Sequence, residues 1–368
     1  MATTSSIPTK MKAIQVTAYN EPYKLNTVPV PAIGPHHLLV KVAVASFCHT
    51  DSMVAAGVFG TALPVIASHE GSGTVVAVGD QVQAFRPGDR VMCGIPIDPC
   101  GACPDCAGPD EDRSQYCVHV TGHMGAHLDG CFAEYVRVDE RTSTKLPDRV
   151  GLLAAAPLAC AGRTIWRGVL QTGLKAGEWV AIVGSGGGLG HLGIQFARAM
   201  GLRVVGIDAR DEGLELSRRY GADVVVDARK SKAVVVGEVQ GVTGGGGAHA
   251  SIVLSDAPGA TALSAAVTRM HGTLVQIAQP DNVCVPFQEL VMRDIRIKGS
   301  LLCSPEESRA MVQFIAEHSD GFRVETVPFE GLEKIEELTG LVHSGKLRGK
   351  AAIVVDPTQI EDEKKLVR

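Results

Sequence analysis

The segment from Trp179 to Asp208 limits the possible folds of this 368-residue chain more than any other segment does. It reads as a strand, WVAIVG, then a glycine-rich turn and a helix, SGGGLGHLGIQFARAMG, then a second strand, LRVVGID. Apolar or small residues recur in the helix at positions 0, 3, 4, 7, 8 and 11 counted from Leu189, which places them on one face. The segment therefore predicts a βαβ unit whose helix packs on a parallel sheet.

The patterns on either side of this unit predict two domains. Up to about residue 157, short β-type runs broken by Gly and Pro indicate a mostly β domain. After the βαβ unit, strand patterns alternate with helix-length segments up to Gly299, which predicts a doubly wound parallel sheet. Two helix patterns and a final apolar strand, AAIVV, follow Ser304.

The glycine-rich turn predicts a dinucleotide site. Glycines in such a turn let backbone N–H groups approach a pyrophosphate, and an acidic residue about 20 positions later holds the ribose hydroxyls. The turn has one residue more than G-x-G-x-x-G requires, and Asp208 follows Gly190 by 18 residues. A carboxylate repels a 2′-phosphate, so Asp208 favours NAD over NADP, and we interpret Arg210 as a solvated surface residue. The predicted cofactor contacts in this segment are Gly184, Gly186, Gly187, Gly188, Leu189, Gly190 and Asp208.

Four cysteines form a C-x2-C-x2-C-x10-C run: Cys100, Cys103, Cys106 and Cys117. Turns this short aim sulfur atoms at one point, which a tetrahedral Zn²⁺ fills. Disulfides and an Fe–S cluster are the alternatives. Ten cysteines, several of them at metal-ligand spacing, favour thiolate ligands over disulfides, and the usual Fe–S spacings differ from this one. We therefore predict a structural zinc that holds the loop from about Pro99 to Val118.

Composition limits the partners of the chain. It has 35 Lys plus Arg against 40 Asp plus Glu, a net charge of −5, so it offers no basic field for nucleic acid or an anionic membrane. The first 20 residues lack the apolar stretch of a secretory signal, and no run of about 18 or more apolar residues occurs. We expect a cytoplasmic protein with no nucleic-acid partner and no membrane partner.

Several motifs, taken in their order, resemble those of the zinc-containing medium-chain alcohol dehydrogenases, most closely the tetrameric yeast-type branch. They are Cys48-His49-Thr50-Asp51, His69-Glu70-Gly71-Ser72-Gly73 followed by Gly79 and Val82, the cysteine run, Cys160-Ala161-Gly162 and the βαβ unit, and they span roughly residues 11 to 356. The resemblance implies an α/β protein and a homotetramer. A β-rich, GroES-like catalytic domain (residues 1–161 and 305–368) would adjoin a Rossmann domain (residues 162–304), with the active site in the cleft between them.

The resemblance also assigns a catalytic zinc site. Its ligands would be Cys48, His69 and Cys160, with Glu70 as an occasional further ligand, so the chain would bind two zinc ions. Asp51 would accept a hydrogen bond from the imidazole of His69 and fix its tautomer.

Further roles in proton transfer and in cofactor binding follow from the same resemblance. Thr50 would pass a proton. His49 and Lys350 would contact the pyrophosphate, and Thr164 would pack on the nicotinamide.

Some positions depart from the family pattern. Met53 stands where the family often has a relay histidine, and Gly213 where a lysine commonly supports the adenosine ribose. The pocket positions that hold two tryptophans and a methionine in the yeast-type branch are Phe59, Ile95 and Gln279 here. Smaller walls favour a substrate bulkier than ethanol, unless neighbouring residues refill the volume. We interpret the histidines at 119, 123 and 127 as a surface loop beside the cysteine run, not as a third metal site.

These observations predict a zinc-dependent, NAD-linked alcohol dehydrogenase that interconverts an alcohol and an aldehyde or ketone. One alternative is an NADH-dependent carbonyl reductase of a specialised biosynthetic pathway. A second is a non-catalytic NAD-binding protein that keeps the fold and the structural zinc. A zinc-finger-like interaction module would explain the cysteine run and nothing else.

Overall fold

A computed structural model describes residues 7–108 and 113–366. Residues 109–112, which belong to the predicted zinc loop, lie outside the described residues, as do the two chain ends. The chain divides into two compact units. We call Met1–Cys160, Cys303–Lys346 and Lys350–Arg368 the split unit, and Ala161–Leu302 with Leu347–Gly349 the middle unit.

The amino-terminal part of the split unit is rich in strands. The strands are β1 (Lys10–Val16), β2 (Lys24–Pro29), β3 (His37–Ser46), β4 (Val65–Ile66), β5 (Glu70–Val78), β6 (Arg90–Met92), β7 (Pro96–Ile97), β8 (Gly122–His123), β9 (Tyr135–Asp139) and β10 (Thr144–Lys145). The helices are α1 (His49–Ala55), α2 (Pro104–Ala107) and α3 (Leu152–Pro157), and a 3₁₀ turn covers Ser114–Tyr116.

The middle unit alternates strands and helices. Its helices are α4 (Arg163–Gln171), α5 (Gly190–Ala199), α6 (Asp211–Arg219), α7 (Lys232–Val242) and α8 (Ala260–Val267). Its strands are β11 (Trp179–Val183), β12 (Arg203–Asp208), β13 (Val224–Asp227), β14 (Ala248–Val253), β15 (Thr268–Gln276) and β16 (Arg296–Gly299).

The middle unit's strands form one parallel sheet in the order β13-β12-β11-β14-β15-β16. This is the strand order of a doubly wound dinucleotide-binding fold, in which the order reverses beside the first strand. The predicted Rossmann sheet is confirmed. The βαβ unit supplies the neighbouring strands β11 and β12, and residues such as Val183, Ile207 and Val253 build a core against the helices.

The carboxyl-terminal part returns to the split unit. It contains α9 (Pro305–Glu317), β17 (Thr326–Glu330), α10 (Ile335–His343), β18 (Lys350–Val354) and α11 (Pro357–Leu366). Its main sheet has the order β10-β6-β5-β3-β18-β17, and β9 also pairs with β3. Because β3 pairs with β5, β9 and β18, nine of its ten residues are buried, which explains why every residue from Leu38 to Ala45 except Lys41 is apolar.

Two smaller sheets complete the described part of the split unit. They are β2-β1-β4 and the pair β7-β8. No helix among the described residues is long and apolar enough to cross a membrane.

Candidate active site

Helix α1 begins directly after Cys48 and positions that thiol. Asp51, in the first turn, is fully buried, and one of its oxygens accepts a hydrogen bond from the main-chain N–H of Cys48 at 2.8 Å. The other oxygen accepts a bond from the N–H of Ser68 at 2.9 Å. The carboxylate of Asp51 therefore links the main chain at Cys48 to the main chain at Ser68, directly before His69.

These contacts correct the predicted role of Asp51. It was expected to bond to the imidazole of His69, but its oxygens accept from the main-chain N–H groups of Cys48 and Ser68 instead, and Nδ1 of His69 has no hydrogen-bond partner in the described structure. Burial raises the pKa of Asp51 to about 6, and the positive field of His69 opposes that rise. Asp51 therefore acts on His69 through its charge and through the backbone.

Ser68 sets the direction in which His69 enters the site. Its φ is +71°, in the left-handed region that non-glycine residues seldom adopt. The hydroxyl of Ser68 donates to the carbonyl oxygen of Ser46 at 2.9 Å, and this bond offsets part of the strain. His69 itself is 4% exposed and immediately precedes β5.

Cys160 lies in a π-helical turn, Leu158–Gly162, between α3 and α4. Pro157, at the end of α3, has no N–H to continue the α-helical bonding, which favours a change of helix type at this point. Such turns are frequent at functional sites, where they redirect a side chain.

Folding brings four ligand atoms together from these separate elements. The sulfur atoms of Cys48 and Cys160, a ring nitrogen of His69 and a carboxylate oxygen of Glu70 all lie within 4.8 Å of one another. A hydrogen bond with Cys160 and the nearby charges of Lys350 and His69 outweigh burial and lower the pKa of Cys48 well below its usual value. The thiolate is the form that binds metals.

The chemistry of this donor set fits a zinc ion. Two sulfurs and an imidazole nitrogen match the three protein ligands of catalytic zinc sites. The buried Nδ1 of His69 has no hydrogen-bond partner among the described residues, so this imidazole is not fully satisfied by protein. Thr50 stands beside the group, with its hydroxyl oxygen 3.9 Å from the sulfur of Cys48, whereas His49 is exposed.

Lys350 is part of this same cluster. It is 5% exposed, and its ammonium nitrogen lies 2.9 and 2.7 Å from the two carboxylate oxygens of fully buried Glu70. Burial raises the pKa of Glu70 to about 7, and Lys350 opposes that rise. The pyrophosphate contact predicted for Lys350 stays a prediction, and the contact that we observe is the ion pair with Glu70.

The second cysteine group is preformed for a metal. Its four sulfur atoms, from Cys100, Cys103, Cys106 and Cys117, lie within 4.8 Å of one another. The sulfur of Cys100 lies 3.7 Å from that of Cys117 and 3.9 Å from that of Cys106. Ligands about 2.3 Å from a tetrahedral zinc are roughly 3.8 Å apart, whereas a disulfide requires about 2.0 Å. The four thiols therefore fit zinc and are not paired as disulfides.

A third group with metal-like composition, His37, Asp98 and Asp139, is already satisfied by protein. The guanidinium of Arg141 donates to Asp139 at 2.9 and 2.5 Å and to the carbonyl oxygen of Pro99 at 3.0 Å. A cation therefore already neutralises these carboxylates, and the cluster fastens the start of the cysteine loop.

In the middle unit, the glycine-rich turn has the geometry of a nucleotide cradle. Gly184 has a φ of +88° and follows β11, and α5 begins at Gly190. A Cβ on Gly186 would lie 2.0 Å from the carbonyl oxygen of Gly213, and one on Gly190 would lie 2.3 Å from that of Ser185. Side chains are therefore excluded at these two glycines, and the turn leads tightly into the N-terminus of a helix, the kind of place where phosphate groups bind.

Asp208 closes this turn at the end of β12. Its oxygens accept bonds from the N–H groups of Gly186 at 2.9 Å and Arg210 at 3.0 Å. Arg210 is not a solvated surface residue, as we had interpreted it, because its side chain also contacts the oxygen of Gly186 at 3.3 Å and lies 3.6 Å from Asp208. A Cβ at position 213 would lie 2.3 Å from Asp208, which explains the glycine there.

The predicted pocket residues fall in different places. Phe59 is 36% exposed in the split unit, and Ile95 is 4% exposed there. Gln279 is exposed in the middle unit after β15, and Thr164, also in that unit, is 9% exposed in α4.

The interpretation of the three histidines as a surface loop does not hold for His123. His119 and His127 are exposed, but His123 is half-buried, and the charge of His69 helps to lower its pKa, after burial and the neighbouring His127. The sequence signal that could have indicated this is the i, i+4 spacing of His123 and His127, which places two imidazoles close together after the cysteine run.

Comparisons with known proteins agree with this geometry. Residues 34–148 match the family described as the alcohol dehydrogenase GroES-like domain, and residues 188–317 match the zinc-binding dehydrogenase family. Alcohol dehydrogenase 1 of Emericella nidulans is 34% identical over 94% of this chain and 98% of its own length. An alcohol dehydrogenase of Geobacillus stearothermophilus is 34% identical over 94% of this chain and its full length.

Solved structures show the same similarity. The crystal structure of the alcohol dehydrogenase of the archaeon Aeropyrum pernix superposes with a TM-score of 0.84 at 29% identity and covers 93% of this chain and 99% of that one. An NAD-dependent alcohol dehydrogenase gives a TM-score of 0.85 at 26% identity and covers 94% of this chain and 100% of that one.

Proposed function

This chain belongs to the zinc-containing medium-chain alcohol dehydrogenase family, and from that premise we propose which of its residues carry out the reaction. It is an oxidoreductase that uses zinc and NAD(H) to interconvert an alcohol and a carbonyl compound. One observation supports the assignment of its catalytic site above all others. The ligand atoms of Cys48, His69, Glu70 and Cys160 converge within 4.8 Å although they are distant in sequence.

Cys48, His69 and Cys160 would hold the catalytic zinc, with Glu70 held back from it by its ion pair with Lys350. When bound there, zinc would supply Lewis acidity to the oxygen of the alcohol or carbonyl, and NAD(H) would supply the hydride-transfer chemistry. The other cysteine group would hold the structural zinc.

Thr50 is the residue that would hold and transfer the proton of the alcohol. Its hydroxyl lies beside the sulfur of Cys48, where it can accept a proton from a bound alcohol and donate its own. Met53, in the same helix, has no titratable group, so the proton must leave the Thr50 hydroxyl by another route. We propose water or His49, which is exposed one residue away.

The glycine turn of the middle unit would bind the pyrophosphate of NAD(H), and Asp208 the adenosine ribose. The carboxylate of Asp208 excludes a 2′-phosphate by charge, whereas the neighbouring guanidinium of Arg210 attracts one. We propose a preference for NAD that is weaker than Asp208 alone would produce. Thr164 would pack on the nicotinamide.

The substrate would be bulkier than ethanol. Phe59, Ile95 and Gln279 replace larger side chains of the resembled branch, and Phe59 and Gln279 leave exposed surface. A carbonyl reductase would use the same groups in the opposite direction, so turnover must be measured both ways.

The decisive experiment compares two cysteine variants. We expect Cys160→Ala to lose one of two zinc ions per chain and at least 100-fold in kcat/KM for alcohol oxidation, a loss on the order of 3 kcal/mol. Cys284→Ala, an exposed thiol outside both cysteine groups, is the matched control and should change neither. Two zinc ions with no turnover of alcohols or carbonyls would instead favour the non-catalytic NAD-binding protein.

We also propose a homo-oligomer, with a tetramer as the specific expectation. Strand β16 is an edge strand of the described middle unit, and exposed apolar side chains lie on it and beside it: Met270, Phe287, Leu290, Val291, Met292, Ile297 and Leu301. Such an edge and patch are suited to association between copies. Light scattering of Ile297→Lys against the parent would test this, and an unchanged mass would argue against this edge.

A cytoplasmic location is the final part of the proposal. Free cysteines at two metal-ligand groups require a reducing compartment to stay unpaired.

A further inference from the structure

Three aromatic rings lie next to one another in the split unit. The ring centroids of His123 and His127 are 5.4 Å apart with an interplanar angle of 52°, and those of His127 and Phe59 are 6.3 Å apart with an angle of 57°. Tilted rings at these separations are in the favourable range for aromatic pairs. Phe59 is 36% exposed and His127 is exposed, so the group is not closed over by the described part of the unit.

The loop that carries the two histidines packs directly against the catalytic histidine segment. A Cβ on Gly125 would lie 2.4 Å from the carbonyl carbon of Ser68 and 2.6 Å from the nitrogen of His69. At the end of the loop, the N–H of Cys131 donates to the oxygen of Ser68 at 2.7 Å. No side chain separates the loop backbone at Gly125 from the segment that presents His69.

The loop is also fastened on its other sides. The hydroxyl of Thr61 donates to the carbonyl oxygen of Ala126 at 2.6 Å, which ties the loop to the segment after Phe59. His123 pairs with Pro96 across β7 and β8, and the N–H of Met124 donates to the oxygen of Ile95 at 2.9 Å. The rings are therefore held on a fixed framework that includes both pocket positions predicted in this unit, Phe59 and Ile95.

His123 lies two residues before Gly125, where the loop backbone lies against His69, and its side chain is half-buried. The row of rings continues from His123 through His127 to Phe59. The row therefore runs from a half-buried imidazole to an exposed phenyl ring.

We propose that Phe59, His123 and His127 form an aromatic wall of the substrate site and that this enzyme prefers alcohols and aldehydes that carry an aromatic ring next to the reacting carbon. The proposal rests on the proposed function, because it needs the reacting oxygen at the ligands Cys48, His69 and Cys160. A wall of aliphatic side chains would bind a saturated ring and an aromatic ring of equal size about equally, since burial of area does not distinguish them. Tilted aromatic rings favour the aromatic ligand through edge-to-face contact.

The test compares benzyl alcohol with cyclohexylmethanol, which have the same skeleton and differ in the aromaticity of the ring. We expect the parent enzyme to favour benzyl alcohol about 3- to 10-fold in kcat/KM, the ratio that one aromatic contact typically produces. His127→Leu and Phe59→Leu keep an apolar side chain but remove the ring, so each should move this ratio towards one. His119→Leu is the control. His119 is an exposed histidine four residues before His123, with no part in the row of rings, so its substitution should leave the ratio unchanged.

A ratio of substrates measured on one variant cancels a general loss of active protein, so partial misfolding does not imitate the effect. A parent ratio near one, or a ratio that neither substitution changes, would overturn the aromatic wall. If neither alcohol turns over, the proposed function fails by itself. The wall is then judged from the dissociation constants of benzamide and cyclohexanecarboxamide, measured by calorimetry with NADH present, and equal constants would refute it.

Discussion

The ion pair between Lys350 and Glu70 yields a prediction whose magnitude follows from burial. Its members are 5% and 0% exposed, and the charged atoms lie 2.7 to 2.9 Å apart. At an effective dielectric constant of about 20, charges 2.8 Å apart attract by about 6 kcal/mol, most of which offsets the cost of removing both from water. Removing one partner leaves a buried charge uncompensated, which typically costs about 3–5 kcal/mol.

We therefore expect Lys350→Met to lower the apparent Tm by roughly 6–10 °C, at about 2 °C per kcal/mol for a protein of this size. Differential scanning calorimetry at fixed zinc content measures it. The double variant Glu70→Gln/Lys350→Met removes both charges and should recover most of the loss, with a coupling free energy of about 2 kcal/mol or more.

Lys41 and Asp356 provide a matched control for this cycle. Their charged atoms are also 2.7 Å apart, but the lysine side chain is 42% exposed, so Lys41→Met should cost less than about 1 kcal/mol. Equal losses for the two lysine variants, or a coupling below about 0.5 kcal/mol for the buried pair, would refute the argument that burial determines the cost.

Three further predictions concern other parts of the split unit. Asp356 precedes α11 and accepts a bond from the N–H of Thr358 at 3.1 Å, so Asp356→Ala should cost about 1 kcal/mol at pH 7 in chemical unfolding. Burial raises the pKa of Asp356, but its hydrogen bonds outweigh this and lower the pKa overall, so this stability is fully present above the ordinary Asp pKa of about 3.9 and is lost as pH falls through the lowered pKa. A difference independent of pH would contradict it. Gly125 has a φ of +71° and no room for a Cβ, so Gly125→Ala should displace His69 and lower kcat/KM at least 10-fold, about 1.4 kcal/mol, and unchanged kinetics would be a refutation. Cys106→Ser should reduce zinc from two ions to one per chain by atomic absorption, and retention of both would exclude the cysteine group as a zinc site.

The middle unit could be predicted from sequence because its signals are local. Strand, turn and helix follow one another within 30 residues from Trp179 to Asp208, and the hydrophobic period changes at each boundary. The four-cysteine group was predictable for the same reason. Its spacing places the first three thiols in adjacent turns.

The catalytic group could not be derived from local patterns. Cys48, His69 and Cys160 are separated by up to 112 residues, and only long-range pairing of strands brings them together, so their assignment needed the resemblance to a family. The prediction for Asp51 was wrong because several hydrogen-bond donors compete for its carboxylate. Asp51 could bond to an imidazole or to main-chain N–H groups, and no sequence pattern ranks these choices.

The position of β18 in the split unit has a consequence for the order of folding during synthesis. β18 lies between β3 and β17 and brings Lys350 to Glu70, although it is synthesised after every strand of the middle unit. Every strand of the middle unit's sheet has been synthesised by residue 299, so that sheet can form while the chain is still growing. Until β18 has been made, residues 44–46 of β3 lack their partner strand and the carboxylate of Glu70 lacks its cation. That short strand edge is exposed to aggregation in the meantime, and a chain that ends before β18 would keep it exposed permanently.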